Sequence, residues 1–296
     1  MATPKGKLII IGGSVDKGSF SPDPSDLPKK LKFFEQGILN RIIKVSAKGN
    51  QSRIEIITTA SSIPEEVGAE YVKAFAQLEV TNTGILNIKN REEANNGESL
   101  SRLKAADIVM FTGGDQLRLS SIFGGTQFHR MLLDKYEGED FVISGTSAGA
   151  AASSNNMIYQ GSSQEALLKG EVKITGGLGF INNVIIDTHF VQRGRIGRLL
   201  YACASNPMNL GIGLGEDAGL LITDGNSMEA IGSGLIILVD ASNMNNTNMS
   251  EVEMGEPVSI ENLIVHVMSI GDHFDLKSKK LIIDHFKSKV VKKEVE

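Results

Sequence analysis

A serine stands at the centre of a Gly-Thr-Ser-Ala-Gly motif at residues 145–149, and its chemistry would be that of a nucleophile. The motif follows a short apolar run and precedes a run of alanines, a pattern that predicts a strand, a tight turn and the start of a helix. Such a turn would expose the oxygen of Ser147 at the carboxyl edge of a sheet. Small residues also occur where a helix merely packs close to a strand, so the motif alone leaves both interpretations open.

A second glycine turn, Phe-Thr-Gly-Gly-Asp-Gln at residues 111–116, also follows an apolar run. The amide of Gly114 could lie opposite that of Ala148, and two such donors would stabilise the oxyanion of an acyl transfer. A phosphate-binding loop is the alternative. The chain has no G-x-x-x-x-G-K-[ST] sequence, however, and Gly-Gly-Ser at residues 12–14 lacks the G-x-G-x-x-G spacing of dinucleotide sites. The pair of turns therefore favours acyl transfer over nucleotide binding.

A nucleophilic serine needs a base, and the base needs a group that orients it. The chain has five histidines, and only His189 comes just after a predicted buried strand, whose carboxyl edge would place it near Ser147. A lone histidine is more often structural than catalytic. Glu165, Glu171 and Asp187 lie between the serine and the histidine, and their spacing does not choose the orienting acid.

Shortly after this histidine, the six residues 193–198 contain three arginines: Arg193, Arg195 and Arg198. Guanidinium groups bind carboxylates through two parallel hydrogen bonds, so the cluster predicts a clamp for substrate carboxylates. The alternative is a solvated helix face, because Arg195 and Arg198 are three residues apart and would share one face of a helix.

Short apolar runs bounded by turn signals predict the elements that position these residues. Near-continuous apolar runs indicate strands covered on both faces, and they lie at residues 7–11, 53–58, 84–88, 107–112, 141–144, 184–187 and 210–214. Helix-like segments between them, the clearest beginning near Ser62, predict a three-layer αβα fold with a mostly parallel sheet. After Leu210 the runs are short and separated by turns, which predicts antiparallel additions in the C-terminal third. We expect residues 1–296 to form a single domain.

The composition excludes several classes of protein. A hydrophobic content of 41% is ample for a buried core, and a net charge of −5 gives no footprint for nucleic acid or an anionic membrane. The first apolar run is too short for a signal peptide, and no stretch approaches the roughly 20 apolar residues that span a bilayer. Cys203 is the sole cysteine, which excludes an internal disulfide and a cysteine-rich metal site. We therefore expect a cytoplasmic protein.

Three segments together resemble the family of serine peptidases that contains cyanophycinase and dipeptidase E. They are residues 111–116, 145–150 and 187–198, in the family's order and at similar intervals, and looser similarity covers nearly the whole chain. The resemblance implies a flavodoxin-like or class I glutamine amidotransferase-like sheet, a nucleophile Ser147, a base His189 and an orienting acid Glu165. The substrate-binding residues that it implies are Gln116, Asp187, Thr188, Arg193, Arg195 and Arg198.

The family's substrate is cyanophycin, a poly-aspartate whose side chains are amidated by arginine, and its products are β-Asp-Arg dipeptides. The resemblance implies this reaction without a metal or cofactor, and a homodimer. Thr188 stands where the family has glutamine, which favours, as an alternative, a related dipeptidase acting on acidic or isoaspartyl dipeptides. A non-catalytic ligand-binding protein on the same scaffold is a further alternative. An α/β-hydrolase esterase shares the serine motif, but its histidine usually lies much farther downstream.

Overall fold

The computed structural model describes residues 3–19 and 33–284. Its strands, in chain order, are β1 (Lys7–Ile11), β2 (Ile54–Ile57), β3 (Thr83–Leu86), β4 (Ile108–Phe111), β5 (Val142–Thr146), β6 (Asn156–Gln160), β7 (Lys173–Gly176), β8 (Val184–Thr188), β9 (Leu210–Leu214), β10 (Ala218–Thr223), β11 (Ser227–Gly232), β12 (Ile236–Asp240), β13 (Asn246–Thr247), β14 (Ile260–Glu261), β15 (Ile264–Met268), β16 (His273–Asp275) and β17 (Lys280–Ile282). Its helices are α1 (Ile38–Val45), α2 (Pro64–Gln77), α3 (Gly97–Ala105), α4 (Gln116–Phe123), α5 (Gln127–Gly138), α6 (Ala148–Ala151) and α7 (Ile196–Ser205).

The larger sheet has nine strands in the order β17-β16-β11-β10-β1-β5-β4-β2-β3. From β1 to β3 the neighbouring strands are parallel, as expected for apolar runs joined through helices. From β1 to β17 the neighbours are antiparallel, and these added strands come from the C-terminal third of the chain. The predicted fold class is confirmed.

Helices cover both faces of the parallel half, because its strands are apolar on both sides. On β1, Ile9 and Ile11 face a cluster that includes residues of α1 and α2, while Leu8 and Ile10 face a cluster that includes residues of α3, α4 and α5. All four isoleucine and leucine side chains are fully buried. The strand therefore lies at the centre of three layers, and its carboxyl end is held firmly.

A second sheet of four strands, in the order β15-β12-β9-β8, carries two of the predicted apolar runs. Strands β8 and β9 are parallel, as predicted, but they pair here and not in the larger sheet. Ile186 and Ile212 of these strands join the same apolar cluster as Leu8 of β1, so the two sheets pack against each other. A single domain over residues 1–296 stays a prediction, which limited proteolysis would test.

Candidate active site

Ser147 occupies a sharp turn between β5 and α6. Its backbone has φ 51° and ψ −107°, a conformation that is costly for a residue with a side chain and that the surroundings must enforce. Its amide donates a hydrogen bond to the carbonyl of Ile11, 2.9 Å away, at the end of β1. A methyl group added at Gly149 would lie 2.6 Å from Cβ of Phe111, so the glycine lets the helix approach the sheet closely.

His189 reaches the serine from the second sheet. It follows β8, and its amide donates to the carbonyl of Gly12, 2.8 Å away, one residue beyond the carbonyl that holds Ser147. Its Nε2 lies 3.0 Å from Oγ of Ser147. The imidazole lies directly against Gly13, where an added methyl group would be 2.3 Å from Cε1. The end of β1 therefore supports both the serine and the histidine.

The carboxylate on the far side of the imidazole belongs to Glu216. Its Oε1 lies 2.7 Å from Nδ1 of His189. Glu216 follows β9, which runs parallel to β8 with Leu214 opposite Thr188, so the histidine and the glutamate leave the sheet at the same edge. With Nδ1 donating to this carboxylate, Nε2 is free to accept the proton of Ser147.

Glu165, the orienting acid that the resemblance implied, does not contact the histidine. It is exposed in the segment between β6 and β7, and within the described residues its side chain makes no hydrogen bond or ion pair. The structure therefore places Glu216, and not Glu165, beside the imidazole. The sequence search missed Glu216 because it considered only acids between the serine and the histidine.

The hydrogen bond with His189 lowers the pKa of the Glu216 carboxyl below its ordinary value. Partial desolvation opposes this effect, while a hydrogen bond from Ser14 and the positive charge of Arg193 add to it. A lowered pKa keeps the carboxylate ionised to more acidic pH than a free glutamate, so at neutral pH it can hold the imidazole in one tautomer.

The serine and histidine open into a cleft of about 440 Å³. The glycine turn after β4 forms one wall: a methyl group added at Gly113 would lie 3.4 Å from Cβ of Ser147, and Gly114 also lines the cleft. Ala148 is the first residue of α6 and directly follows the serine. Of the two predicted oxyanion-hole residues, Gly114 therefore lines the same cleft as Ser147, and Ala148 is its neighbour in the chain.

Two cationic side chains line this cleft. Lys17 pairs with Glu70 at 2.5 Å and lies over the ring of Tyr71, 4.8 Å from its centroid. Arg193 is exposed, and within the described residues its side chain has no hydrogen-bond or ion-pair partner. Arg193 is thus placed to meet an anionic group of a ligand.

The other predicted substrate-binding residues do not line the cleft as the structure describes it. Gln116, at the start of α4, donates through Nε2 to the carbonyl of Ile158, 3.0 Å away. Thr188 is buried at the end of β8. Arg195 and Arg198 form ion pairs with Asp187, at 3.2 and 2.5 Å. Of the three arginines predicted to form a clamp, only Arg193 lines the cleft, and a substrate-binding role for the cluster stays a prediction.

A second cavity, of about 470 Å³, lies elsewhere on the molecule, and Tyr136, Asp224 and Lys277 are among the residues that line it. Its described lining contains no serine, cysteine or histidine. We therefore assign the chemistry to the smaller cleft, which holds the hydrogen-bonded serine and histidine.

Clusters of metal-binding side chains and membrane-spanning helices are both absent from the part of the chain that the structure covers. Residues 3–19 and 33–284 bring together no group of three or more His, Cys, Asp or Glu side chains that could hold a metal ion. None of the helices in these ranges is long and apolar enough to cross a bilayer.

Comparison with known proteins identifies the family of this chain. The model of peptidase family S51 matches residues 31–230. The chain belongs to peptidase family S51. It is 34% identical over 236 residues to the cyanophycinase of Trichormus variabilis, covering 80% of this chain and 79% of that one. It is 33% identical over 274 residues to the cyanophycinase of Geminocystis herdmanii, covering 93% and 95%. This S51 member is therefore a serine-type peptidase.

A solved structure agrees with the fold. A peptidase from an acI-B1 Actinobacterium superposes with a TM-score of 0.63 at 19% identity, over 93% of this chain and 98% of that one. At that identity the likeness concerns the fold alone.

Proposed function

We propose that this S51 peptidase hydrolyses cyanophycin at the aspartyl backbone, from a chain end, and releases β-Asp-Arg dipeptides. The observation that carries the proposal is the hydrogen-bonded series of Ser147, His189 and Glu216 at an open cleft, with distances of 3.0 and 2.7 Å. The identity to cyanophycinases over most of the chain supports the choice of substrate.

The reaction proceeds in two steps. His189 Nε2 takes the proton of Ser147 as Oγ attacks the aspartyl carbonyl carbon, and the amides of Gly114 and Ala148 stabilise the oxyanion. The protonated histidine then gives its proton to the leaving amine, which leaves an ester on Ser147. Water, deprotonated by His189, attacks the carbonyl carbon of that ester; the bond to Oγ breaks, the protonated histidine returns the proton to Oγ of Ser147, and the product carboxylate is released. Glu216 holds the imidazole tautomer in both steps.

The cleft's charge suits this substrate. Each arginine of cyanophycin is attached through its α-amino group, so each branch carries a free carboxylate as well as a guanidinium. The unpaired Arg193 is available to bind such a carboxylate through a charge-assisted hydrogen bond. The alternative, a dipeptidase acting on acidic or isoaspartyl dipeptides, depends on contact between the Thr188 side chain and the substrate. Thr188 is only 5% exposed, which does not favour such a contact.

Incubation of the purified enzyme with insoluble cyanophycin is expected to release β-Asp-Arg, because the serine can attack each aspartyl carbonyl from the chain end. Mass spectrometry of the soluble fraction measures the dipeptide. If none appears while a fluorophosphonate probe still labels the enzyme, the peptidase assignment stands and cyanophycin is the wrong substrate. Isoaspartyl dipeptides would then be assayed.

We further propose a homodimer. In the part of the chain that the structure covers, β15 is the outer edge of the second sheet, and Val265 and Val267 on it are 49% and 54% exposed. Edge strands present unpaired backbone groups that can pair with another chain. Two copies joined antiparallel about His266 would place Val265 of one copy opposite Val267 of the other.

Replacing both valines with lysine is expected to convert the dimer to a monomer, because like charges would then lie directly opposite each other. Light scattering coupled to gel filtration measures the mass of the particle. Met208→Lys is the control, since Met208 is exposed and lines the 470 Å³ cavity, whose lining includes neither valine. A wild-type monomer, or a lysine variant that stays dimeric, would argue against this interface.

A further inference from the structure

The carboxylate of Asp187 is only 2% exposed and is fully occupied by groups of the protein. Arg198 donates to it twice, from Nε at 2.7 Å and from Nη2 at 2.5 Å. Arg195 Nη1 donates at 3.2 Å, and the backbone amide of Thr188 donates at 2.8 Å. A buried carboxylate needs such partners because desolvation of an unpaired charge is costly.

Arg198 is equally committed to the protein. It is 6% exposed, and its remaining Nη1 donates to the carbonyl of Gly161 at 3.2 Å. A substrate carboxylate would have to displace Asp187 from the guanidinium to bind there. The Asp187–Arg198 pair is therefore an internal element of the fold and does not form part of the cleft.

This ion pair leads to the backbone of the catalytic histidine through Arg195. The Nη1 group that contacts Asp187 also donates to the carbonyl of Thr188, at 2.8 Å. At the other end of the same peptide bond, the amide of His189 donates to the carbonyl of Gly12. Both polar atoms of the peptide that precedes His189 are thus fixed.

Fixing this peptide matters because His189 has φ 49°, a left-handed conformation that a residue with a side chain rarely adopts. Such a conformation persists only where neighbouring groups enforce it. A rotation about this backbone would move the imidazole away from Ser147, since the ring is held at 3.0 Å from Oγ.

We propose that Asp187 and Arg198 are positioning residues: they hold Arg195 against the carbonyl of Thr188 and so keep the imidazole of His189 aligned with Ser147. The proposal rests on the proposed function, in which His189 is the base. The three arginines then have two different roles. Arg193 binds the substrate, whereas Arg195 and Arg198 position the peptide bond that precedes His189.

A small fluorophosphonate probe separates positioning from substrate binding. Such a probe carries no carboxylate, so losing a carboxylate clamp leaves its reaction with Ser147 unchanged, whereas a displaced base slows it. Arg198→Lys keeps the charge and removes the two-pronged contact. We expect the rate constant of labelling to fall roughly ten- to hundredfold, the scale of effect that a misplaced catalytic group produces.

Arg193→Ala is the matched comparison from the same cluster. We expect it to raise KM for a short soluble oligomer of arginylated aspartate by roughly tenfold, the effect of one lost charge-assisted contact. Arg198→Lys should instead lower kcat and leave KM within about twofold, because it disturbs a group used in the chemical step.

Arg195→Lys provides a second test, because Arg195 is partly exposed and its replacement leaves the Asp187–Arg198 pair in place. It should slow labelling as Arg198→Lys does. Circular dichroism establishes that each variant is folded. Folded variants of Arg195 and Arg198 that label at the wild-type rate would overturn the positioning role. A wild-type enzyme that the probe does not label would overturn the proposed function itself.

Discussion

Replacing Ser147 with alanine is expected to lower turnover by about 10⁴ to 10⁶, because the variant keeps the binding cleft and the oxyanion amides but has no atom to form the acyl-enzyme. The measurement is the rate of dipeptide release from cyanophycin, wild type beside variant. Labelling by the fluorophosphonate probe should be abolished. The folded state should survive, since Ser147 is held through its backbone amide.

Ser144→Ala is the matched control for this substitution. Ser144 lies in the same strand, is fully buried, and within the described structure its hydroxyl has no hydrogen-bond partner. Removing an unsatisfied buried hydroxyl costs little, and we expect activity within about twofold of the wild type. A Ser147→Ala enzyme that loses less than about tenfold would rule out Ser147 as the nucleophile, since triad serines contribute far more.

The strands could be predicted from the sequence because their composition reflects burial on both faces. The runs at residues 7–11 and 210–214 coincide with β1 and β9. The apolar runs do not specify which strands pair. Both β4 and β8 begin with three buried apolar residues, yet one lies in the nine-stranded sheet and the other in the second sheet. Pairing depends on the packing of whole layers, which local patterns do not specify.

The site was predictable where a strand end fixes a residue. Ser147 and His189 both follow predicted strands, and the structure brings them to 3.0 Å. Glu216 follows the predicted strand at residues 210–214 in the same way, so the reasoning that selected His189 could have selected it too. The search was restricted by chain order, although an acid can reach the imidazole from any neighbouring strand.

The direction of a side chain is harder to predict than its position. The charges of Arg195 and Arg198 suggested contact with a substrate, and the family resemblance implied the same role for Asp187. A strand residue points to one face of the sheet or the other. Here the Asp187 side chain is buried, and its carboxylate accepts hydrogen bonds from Arg198, which is buried as well. Of the three arginines, only Arg193, which is exposed, lines the cleft.

Replacing Glu216 with glutamine is expected to lower kcat by about 10² to 10⁴. An amide is nearly the same size as a carboxylate, but it can hold the imidazole in the wrong tautomer and does not stabilise the imidazolium. The lower end of the range allows for solvent, because the Glu216 side chain is 35% exposed and water can replace part of its effect. The same assay of dipeptide release measures the loss.

Glu165→Gln is the control that separates the two acids. The Glu165 side chain is exposed and makes no hydrogen bond or ion pair in the described residues, so we expect activity within about twofold of the wild type, as for a surface substitution. The reverse pattern, a large loss for Glu165→Gln with Glu216→Gln unaffected, would restore the acid that the sequence resemblance implied. It would also require the segment between β6 and β7 to move toward His189 when substrate binds. Equal and small effects of both substitutions would mean that Ser147 and His189 work without an orienting carboxylate.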